Sequence, residues 1–368
     1  MSHSAPLWRA AAELAQSETL GAIATVSRRR GSLPMAQDAK MVVAEDGRRW
    51  GTVGGGCTEA DVTMQALEAA RDGVPRFVQH TLNADLAGDV GLSCGGTVEL
   101  FLEPIVRSAE MARLYAAVAH GIEERMPVLV STALDWTDGP TKSAVIGDGE
   151  VTVGKLPASR APRLAHPARA TAHADEHSGL FIEPFLRTPR LIVFGAGHVG
   201  VEIARLAAGV GFYVIVVDDR AEFASDERLP EAHEVFVEDF RRFLDRLTLD
   251  EDDYVLATTR GHSYDAYIIE RTAASKARYV GMLGSRRKKE VVFRALETAG
   301  VPRAALDRVK VPIGEPIGAD TPEEIAVSVV AELIRVRRTG EAGREDPTAP
   351  SPPTPPASLP RRTPAGPG

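Results

Sequence analysis

The stretch L-I-V-F-G-A-G-H-V-G, residues 191–200, decides the fold of the second half of the chain. An apolar run of strand length enters a G-x-G-x-x-G turn and leaves it in a helical pattern. Gly195 permits the tight turn, and Gly197 lets backbone approach a phosphate. Gly200 lets the following helix pack closely on the sheet. The next apolar run, F-Y-V-I-V-V-D-D-R, ends in Asp218, about 20 residues on, where a ribose 2′-OH would be caught. Strands are expected at 190–195, 212–217, 233–237, 253–258, 278–283 and 309–312, with helices between most of them. That alternation is the pattern of a Rossmann-type doubly wound parallel sheet, assigned here to residues 188–338.

The loops after these strands gather polar residues at the edge where such sheets bind ligands. A-T-T-R-G-H-S-Y-D at 257–265 supplies Arg260, His262 and Asp265. G-M-L-G-S-R-R-K-K at 281–289 supplies Gly284, Ser285 and Arg286 at a helix start suited to a phosphate or carboxylate. The plainer alternatives are a turn role for His262 and a solvated helix face for Arg287, Lys288 and Lys289. A final helix is signalled by Thr321 as N-cap, Pro322 in the first turn and Glu324 closing a capping box. Beyond it, residues 339–368 include P-T-A-P-S-P-P-T-P-P-A-S-L-P, a composition expected to stay disordered.

Residues 1–187 read differently, as a mixed α+β domain. A short amphipathic helix is expected over 5–18, then a strand at 20–26 and a basic turn, R-R-R-G-S-L-P, at 28–34. Strands at 40–44 and 49–53 flank an Asp-Gly hairpin signal. The run G-T-V-G-G-G-C-T-E-A-D at 51–61 then passes from strand to helix, with Gly54, Gly55 and Gly56 leading to Cys57. A helix N-terminus favours a thiolate there, and the glycines leave backbone N–H groups accessible. The second cysteine, Cys94, sits in a near-mirror of this run, L-S-C-G-G-T-V-E-L at 92–100, beside Gly95 and Gly96. Further strands are expected at 76–82 and 97–104, with a helix near 108–123. L-F-L-E-P-I at 100–105 is echoed by L-F-I-E-P-F at 180–185, which suggests two topologically similar sub-sheets.

The chain has 368 residues, enough for two cores, a net charge of −8 and a pI near 5.7. That balance argues against a general nucleic-acid or anionic-membrane binder. No apolar segment has the length to cross a bilayer, and the N-terminus lacks a signal-peptide pattern. Two cysteines outside any C-x-x-C make a disulfide scaffold or closed zinc site unexpected. The expectation is a cytoplasmic protein whose cysteines remain thiols.

Taken together, 51–61, 92–100, 195–200, 259–265, 281–286 and 313–325 resemble the XdhC/CoxI family of xanthine dehydrogenase accessory proteins. The resemblance runs from about residue 14 to 338. It implies a maturation chaperone, not an enzyme, that binds the molybdenum cofactor (molybdopterin or its dinucleotide form). The cofactor is held for sulfuration with a cysteine-desulfurase-type sulfurtransferase, then inserted into an apo molybdenum hydroxylase. A homodimer is expected. On this resemblance Cys57, Cys94, Gly54, Gly55, Gly56, Gly95, Gly96 and Lys40 line the cofactor, with the two cysteines as candidate molybdenum ligands. Gly195, Gly197, Gly200, Asp218, His262, Ser285 and Arg286 would hold its nucleotide part or a separate nucleotide. Met35 stands where the family often has an arginine.

Two other classes fit parts of the sequence. An NAD(P)-dependent oxidoreductase would use Asp218 for ribose and His262 or a cysteine for chemistry, yet no nucleophile-and-base pair at catalytic spacing is visible. A thiol-based redox or metal sensor would need a dimer to assemble four ligands.

Overall fold

Three sheets carry the fold of this chain. The computed structural model describes residues 4–31, 33, 35–82, 96–137, 139–147, 151–156 and 171–340, with backbone alone at Cys57, Leu82, Val151 and Thr152. The expectations for Cys94, Gly95 and the proline-rich tail lie outside these residues.

The C-terminal sheet contains β11 (Arg190–Phe194), β12 (Tyr213–Asp218), β13 (Glu234–Val237), β14 (Asp253–Ala257), β15 (Tyr279–Met282) and β16 (Val309–Lys310). Its strands run parallel in the order β13-β12-β11-β14-β15-β16, as a Rossmann-type sheet requires. Leu191 to Phe194 are buried without alternation because helices cover both faces of the sheet. α4 (His198–Gly209) and α9 (Pro322–Thr339) pack on one face, burying Ile203, Ala207, Val329 and Leu333. α5 (Phe240–Arg246), α6 (His262–Thr272) and α7 (Arg286–Thr298) cover the other through Phe243, Ile268 and Phe293, with the one-turn α8 (Arg303–Leu306) beside them. Thr321 and Glu324 form the expected capping box at α9.

The first half is built twice on one plan. The first unit runs α1 (Ala5–Leu14), β1 (Gly21–Gly31), β2 (Lys40–Ala44), β3 (Arg49–Gly51), α2 (Gly56–Asp72), β4 (Arg76–Leu82) and β5 (Gly96–Pro104). Its sheet is ordered β3-β2-β1-β5-β4. The second unit runs α3 (Ala109–Glu123), β6 (Val128–Ala133), β7 (Lys142–Ile146), β8 (Val151–Gly154), β9 (His173–Asp175) and β10 (Leu180–Phe185). Its order, β8-β7-β6-β10-β9, repeats the first strand for strand, and the two L-F-x-E-P echoes fall on the matching strands β5 and β10. α1 and α3 pack together with apolar residues of both sheets, around Trp8 and Tyr115. α2 covers the other face of the first sheet through Val62, Ala66 and Ala69.

Some local expectations are corrected. The basic run at 28–30 is not a turn, because β1 continues to Gly31 after an irregularity at Ser27. Arg28, Arg29 and Arg30 pair with Glu99, Val98 and Thr97 of β5, which supply the partner backbone that the local sequence conceals. α1 stops at Leu14, short of 18, and β8 and β9 are strands for which the sequence reading set no expectation.

Candidate functional site

Gly54, Gly55 and Gly56 turn the chain from β3 into α2, all with positive φ (124°, 75° and 66°). L side chains rarely adopt that region, so the composition of the turn follows from its backbone. A Cβ on Gly54 would stand 2.7 Å from the Met35 methyl, whereas one on Gly55 or Gly56 would meet nothing within 4 Å. The site is therefore closed beneath Gly54 and open above Gly55 and Gly56. The helix N-cap is Gly55, which has no side chain to offer the first-turn amides. Cys57 lies within that first turn, one residue after the helix begins. Glu59 braces the turn from below: its Oε2 accepts from Thr52 Oγ1 at 2.6 Å and from the Gly55 amide at 3.1 Å.

The second glycine motif meets the same loop as the first. A Cβ on Gly96 would come within 2.8 Å of the Leu33 side chain, and Gly54 faces Met35 two residues on. The described ends of the two motifs thus meet Leu33 and Met35.

Lys40 does not join this cradle. It pairs with Thr25 on the sheet face away from α2, is buried, and gives its ammonium to Glu183 of β10 and to Thr25. Two groups that sequence reasoning missed lie on the α2 side of the sheet instead. Arg29 donates to the Met35 carbonyl, and His80 of β4 sets Nδ1 at 3.2 Å from Asp61 of α2. A basic run and a histidine with an acid carry no signal of their own; only strand pairing puts them on one face.

The other candidates stand along the C-terminal edge of the parallel sheet, where β11 and β14 neighbour one another and the strand order reverses. A Cβ on Gly195 would strike the Thr258 carbonyl at 2.6 Å and one on Gly200 the Gly195 carbonyl at 2.0 Å, while Gly197 faces open space. Those are the steric duties expected of the three glycines. Asp218 ends β12 with its carboxylate engaged: Ala196 N–H donates at 2.8 Å, and Arg220 grips both oxygens at 2.9 Å. Burial pushes this carboxyl up, but the hydrogen bonds from Arg220 and the Ala196 amide outweigh it and hold the group below its ordinary value. Ser285 caps α7 by accepting from the Lys288 amide, and Arg286 begins that helix in solvent. His262 begins α6 and, with Ser285, Arg287, Lys288, Val291 and Val292, lines a shallow cavity of about 210 Å³. Lys288 is tied to Asp265 and to the Leu283 carbonyl. Among the described residues no three His, Cys, Asp or Glu side chains converge as a metal site, and no helix is long and apolar enough to cross a membrane.

Comparison with known proteins agrees with this architecture. Residues 191–333 match the model of the XdhC Rossmann domain, and residues 14–81 match that of the XdhC and CoxI family. A Bacillus subtilis protein named as a probable xanthine dehydrogenase subunit is 29% identical over 334 residues, covering 86% of this chain and 93% of its own. The "Molybdenum cofactor insertion chaperone PaoD" of Escherichia coli is 26% identical over 329 residues, covering 89% and 87%. The crystal structure of a protein described as a xanthine dehydrogenase from Bacillus halodurans superposes with a TM-score of 0.73 at 28% identity, covering 93% of this chain and 98% of its own. With both of its parts matched and this fold beneath them, the chain belongs to the XdhC and CoxI family.

Proposed function

We propose that the chain is a molybdenum cofactor chaperone. It holds the cofactor at the glycine-lined entry to α2, keeps it while it is sulfurated, and passes it to a xanthine dehydrogenase or related molybdenum hydroxylase. The observation that carries this reading is the uncapped first turn of α2, reached through three glycines and bearing Cys57. The residues present suit a pterin whose dithiolene chelates molybdenum. Open space above Gly55 and Gly56 admits a broad ligand, and the uncapped helix start favours an anion. A soft thiolate at Cys57 matches a sulfur-rich metal unit, with Cys94 as its counterpart from the second motif. When bound, the cofactor brings redox chemistry that is exercised in the client enzyme; the chain's own residues hold and release it. The relatives named for cofactor insertion and for xanthine dehydrogenase support the same assignment.

The glycine turn and Asp218 of the parallel sheet would cover a nucleotide part of the ligand, with His262, Ser285 and Arg286 along the same edge. A cysteine-desulfurase-type sulfurtransferase and the apo hydroxylase are the partners this role requires, and we place the working form as a cytoplasmic homodimer. The test is anaerobic purification followed by mass and absorbance analysis of the released ligand. A pterin with molybdenum is expected, and Cys57→Ala should fold normally while losing retention. Recovery of NAD(H) alone would sink the proposal.

A further inference from the structure

The shallow cavity between the starts of α6 and α7 is built around one fixed cation. The Lys288 ammonium donates to the Leu283 carbonyl at 2.7 Å and to Asp265, a carboxylate with no exposed surface. Asp265 is held in turn, since its other oxygen accepts from the Thr259 hydroxyl at 2.7 Å and the Thr259 amide at 3.2 Å. Gly284 clears room for the lysine stem: a Cβ there would stand 2.4 Å from Lys288 Cδ and 3.2 Å from Cγ. The Lys288 side chain is only 15% exposed. A lysine that merely solvated a helix face would need neither the glycine nor the buried acid.

An ammonium carries three N–H donors, and two of these are engaged. The third is left for a ligand in the cavity that Lys288 lines. Two further donors stand on the same walls. Arg287 and His262 are exposed, and among the described residues neither side chain makes a hydrogen bond or ion pair. None of the six lining residues is acidic, and Val291 and Val292 supply an apolar wall. On a chain of net charge −8 this is a local excess of positive charge, which concentrates anions. The first turn of α7 is not the anchor, because the Ser285 hydroxyl already accepts from the Lys288 amide. Size narrows the guest further. Pockets for drug-sized ligands measure about 300–1,000 Å³, so a cavity of about 210 Å³ suits one phosphate group and the few atoms attached to it. Ammonium, guanidinium and imidazole together match the three terminal oxygens of a phosphate better than the two of a carboxylate.

We propose that this cavity is a phosphate-binding site. Lys288 is its fixed cation, positioned by Asp265, Leu283 and Gly284, and Arg287 and His262 hold the phosphate oxygens from the rim. The remainder of a phosphorylated small molecule passes over Val291, which is 65% exposed. This inference rests on the reading above only in expecting a phosphorylated ligand at this edge of the sheet; it requires nothing of the α2 cradle.

The test is equilibrium dialysis of the full chain against radiolabelled inorganic phosphate in a phosphate-free buffer, with adenosine monophosphate and acetate as unlabelled competitors. Gly284→Ala alters no charge but displaces the Lys288 stem, and is expected to lower phosphate affinity about tenfold. Arg287→Gln is expected to lower it by a similar factor and to flatten its dependence on salt. Lys288→Met would strand the buried Asp265, so the glycine variant takes its place. Lys289→Gln is the control: it removes the same charge from the same turn, but Lys289 lies over the Phe293 ring and outside the cavity. Stronger competition by adenosine monophosphate than by unlabelled phosphate supports a site for a phosphate carried on a larger molecule; the reverse order supports one for free phosphate. Wild-type affinity in both Gly284→Ala and Arg287→Gln overturns the proposal, as does an equal loss in Lys289→Gln or acetate competing as well as phosphate. A wild-type chain that binds no phosphate overturns it too and removes the nucleotide cover from this edge. Pterin retention at α2, measured separately, decides the holding function.

Discussion

Lys40 of β2 is paired with Glu183 of β10, and the reciprocal pair, Lys142 of β7 with Glu103 of β5 at 2.7 Å, joins the same two sheets. Each lysine begins the second strand of its unit, and each glutamate lies in the fifth strand of the other. Thr25 and Thr132 add hydrogen bonds to the two carboxylates, and both ammonium groups lie about 5 Å from the Trp8 ring centroid. The duplicated units are thus locked by exchanged charges in a place that sequence patterning marks only as strand.

Removing one partner leaves the other charged and buried. Glu183→Leu is therefore expected to cost about 3–5 kcal/mol, whereas Lys40→Met with Glu183→Leu should recover most of that loss. Urea denaturation of the two single variants and the double variant measures the coupling. A double variant as unstable as the worse single one would show that the pair is not the source of the effect.

Gly54 and Gly55 differ in what surrounds them, and alanine at each should show it. At Gly54 an added Cβ meets both a positive φ and the Met35 methyl at 2.7 Å; at Gly55 it meets the backbone penalty alone. Each backbone penalty is about 1–3 kcal/mol. Met35→Ala should partly rescue Gly54→Ala and leave Gly55→Ala as it was. Melting temperatures of the two double variants decide this, since only contacting residues couple strongly.

The parallel sheet was legible because its strands are buried on both faces and its turns carry glycines with fixed steric duties. L-I-V-F at 191–194 and V-I-V-V at 214–217 are runs that suit little else. The extension of β1 was hidden because Arg28, Arg29, Arg30 and Gly31 are poor strand formers on their own. Pairing with residues 96–99, some 70 positions away, makes them strand. The same distance effect hid two groups on the α2 side of the sheet. His80 gains a neighbour in Asp61 and a place in line with Arg29 only through the β4–β5 and β1–β5 registers. Lys40, set at the cofactor by the family resemblance, is instead turned toward the second unit by Glu183, 143 residues later.

Asp218 should give the parallel sheet an acid-sensitive element. Its carboxyl is held below the ordinary value in the folded chain, so protonation favours the unfolded state. The stabilisation is complete above the unfolded carboxylate value near pH 4 and is lost as pH falls through the lower folded value. Asp218→Asn should lower the melting temperature at pH 6 and flatten its decline between pH 4 and pH 3. Calorimetric scans across that range check the sign; a parallel decline in both proteins would assign the acid limb to other groups.

Arg125 ties the two halves through one side chain. It follows α3 with φ of 57°, donates from Nε and Nη2 to the Thr188 carbonyl at 3.0 Å, and lies over the Tyr213 ring at the start of β12. Arg125→Ala removes these contacts and keeps the backbone strain, whereas Arg125→Gly removes both and should be the less damaging change. Arg125→Lys keeps the charge but not the forked donation or the flat stacking surface, so it should fall between wild type and alanine. The three tryptophans, Trp8, Trp50 and Trp136, all lie in the first half, so their fluorescence reports that half alone. Far-UV circular dichroism reports both. In wild type the two transitions in urea should coincide; in Arg125→Ala they should separate, because Arg187–Asp250 and Arg190–Asp253 are more exposed or lie wholly beyond the connection. Coincident transitions in Arg125→Ala would show that the halves are coupled through other contacts.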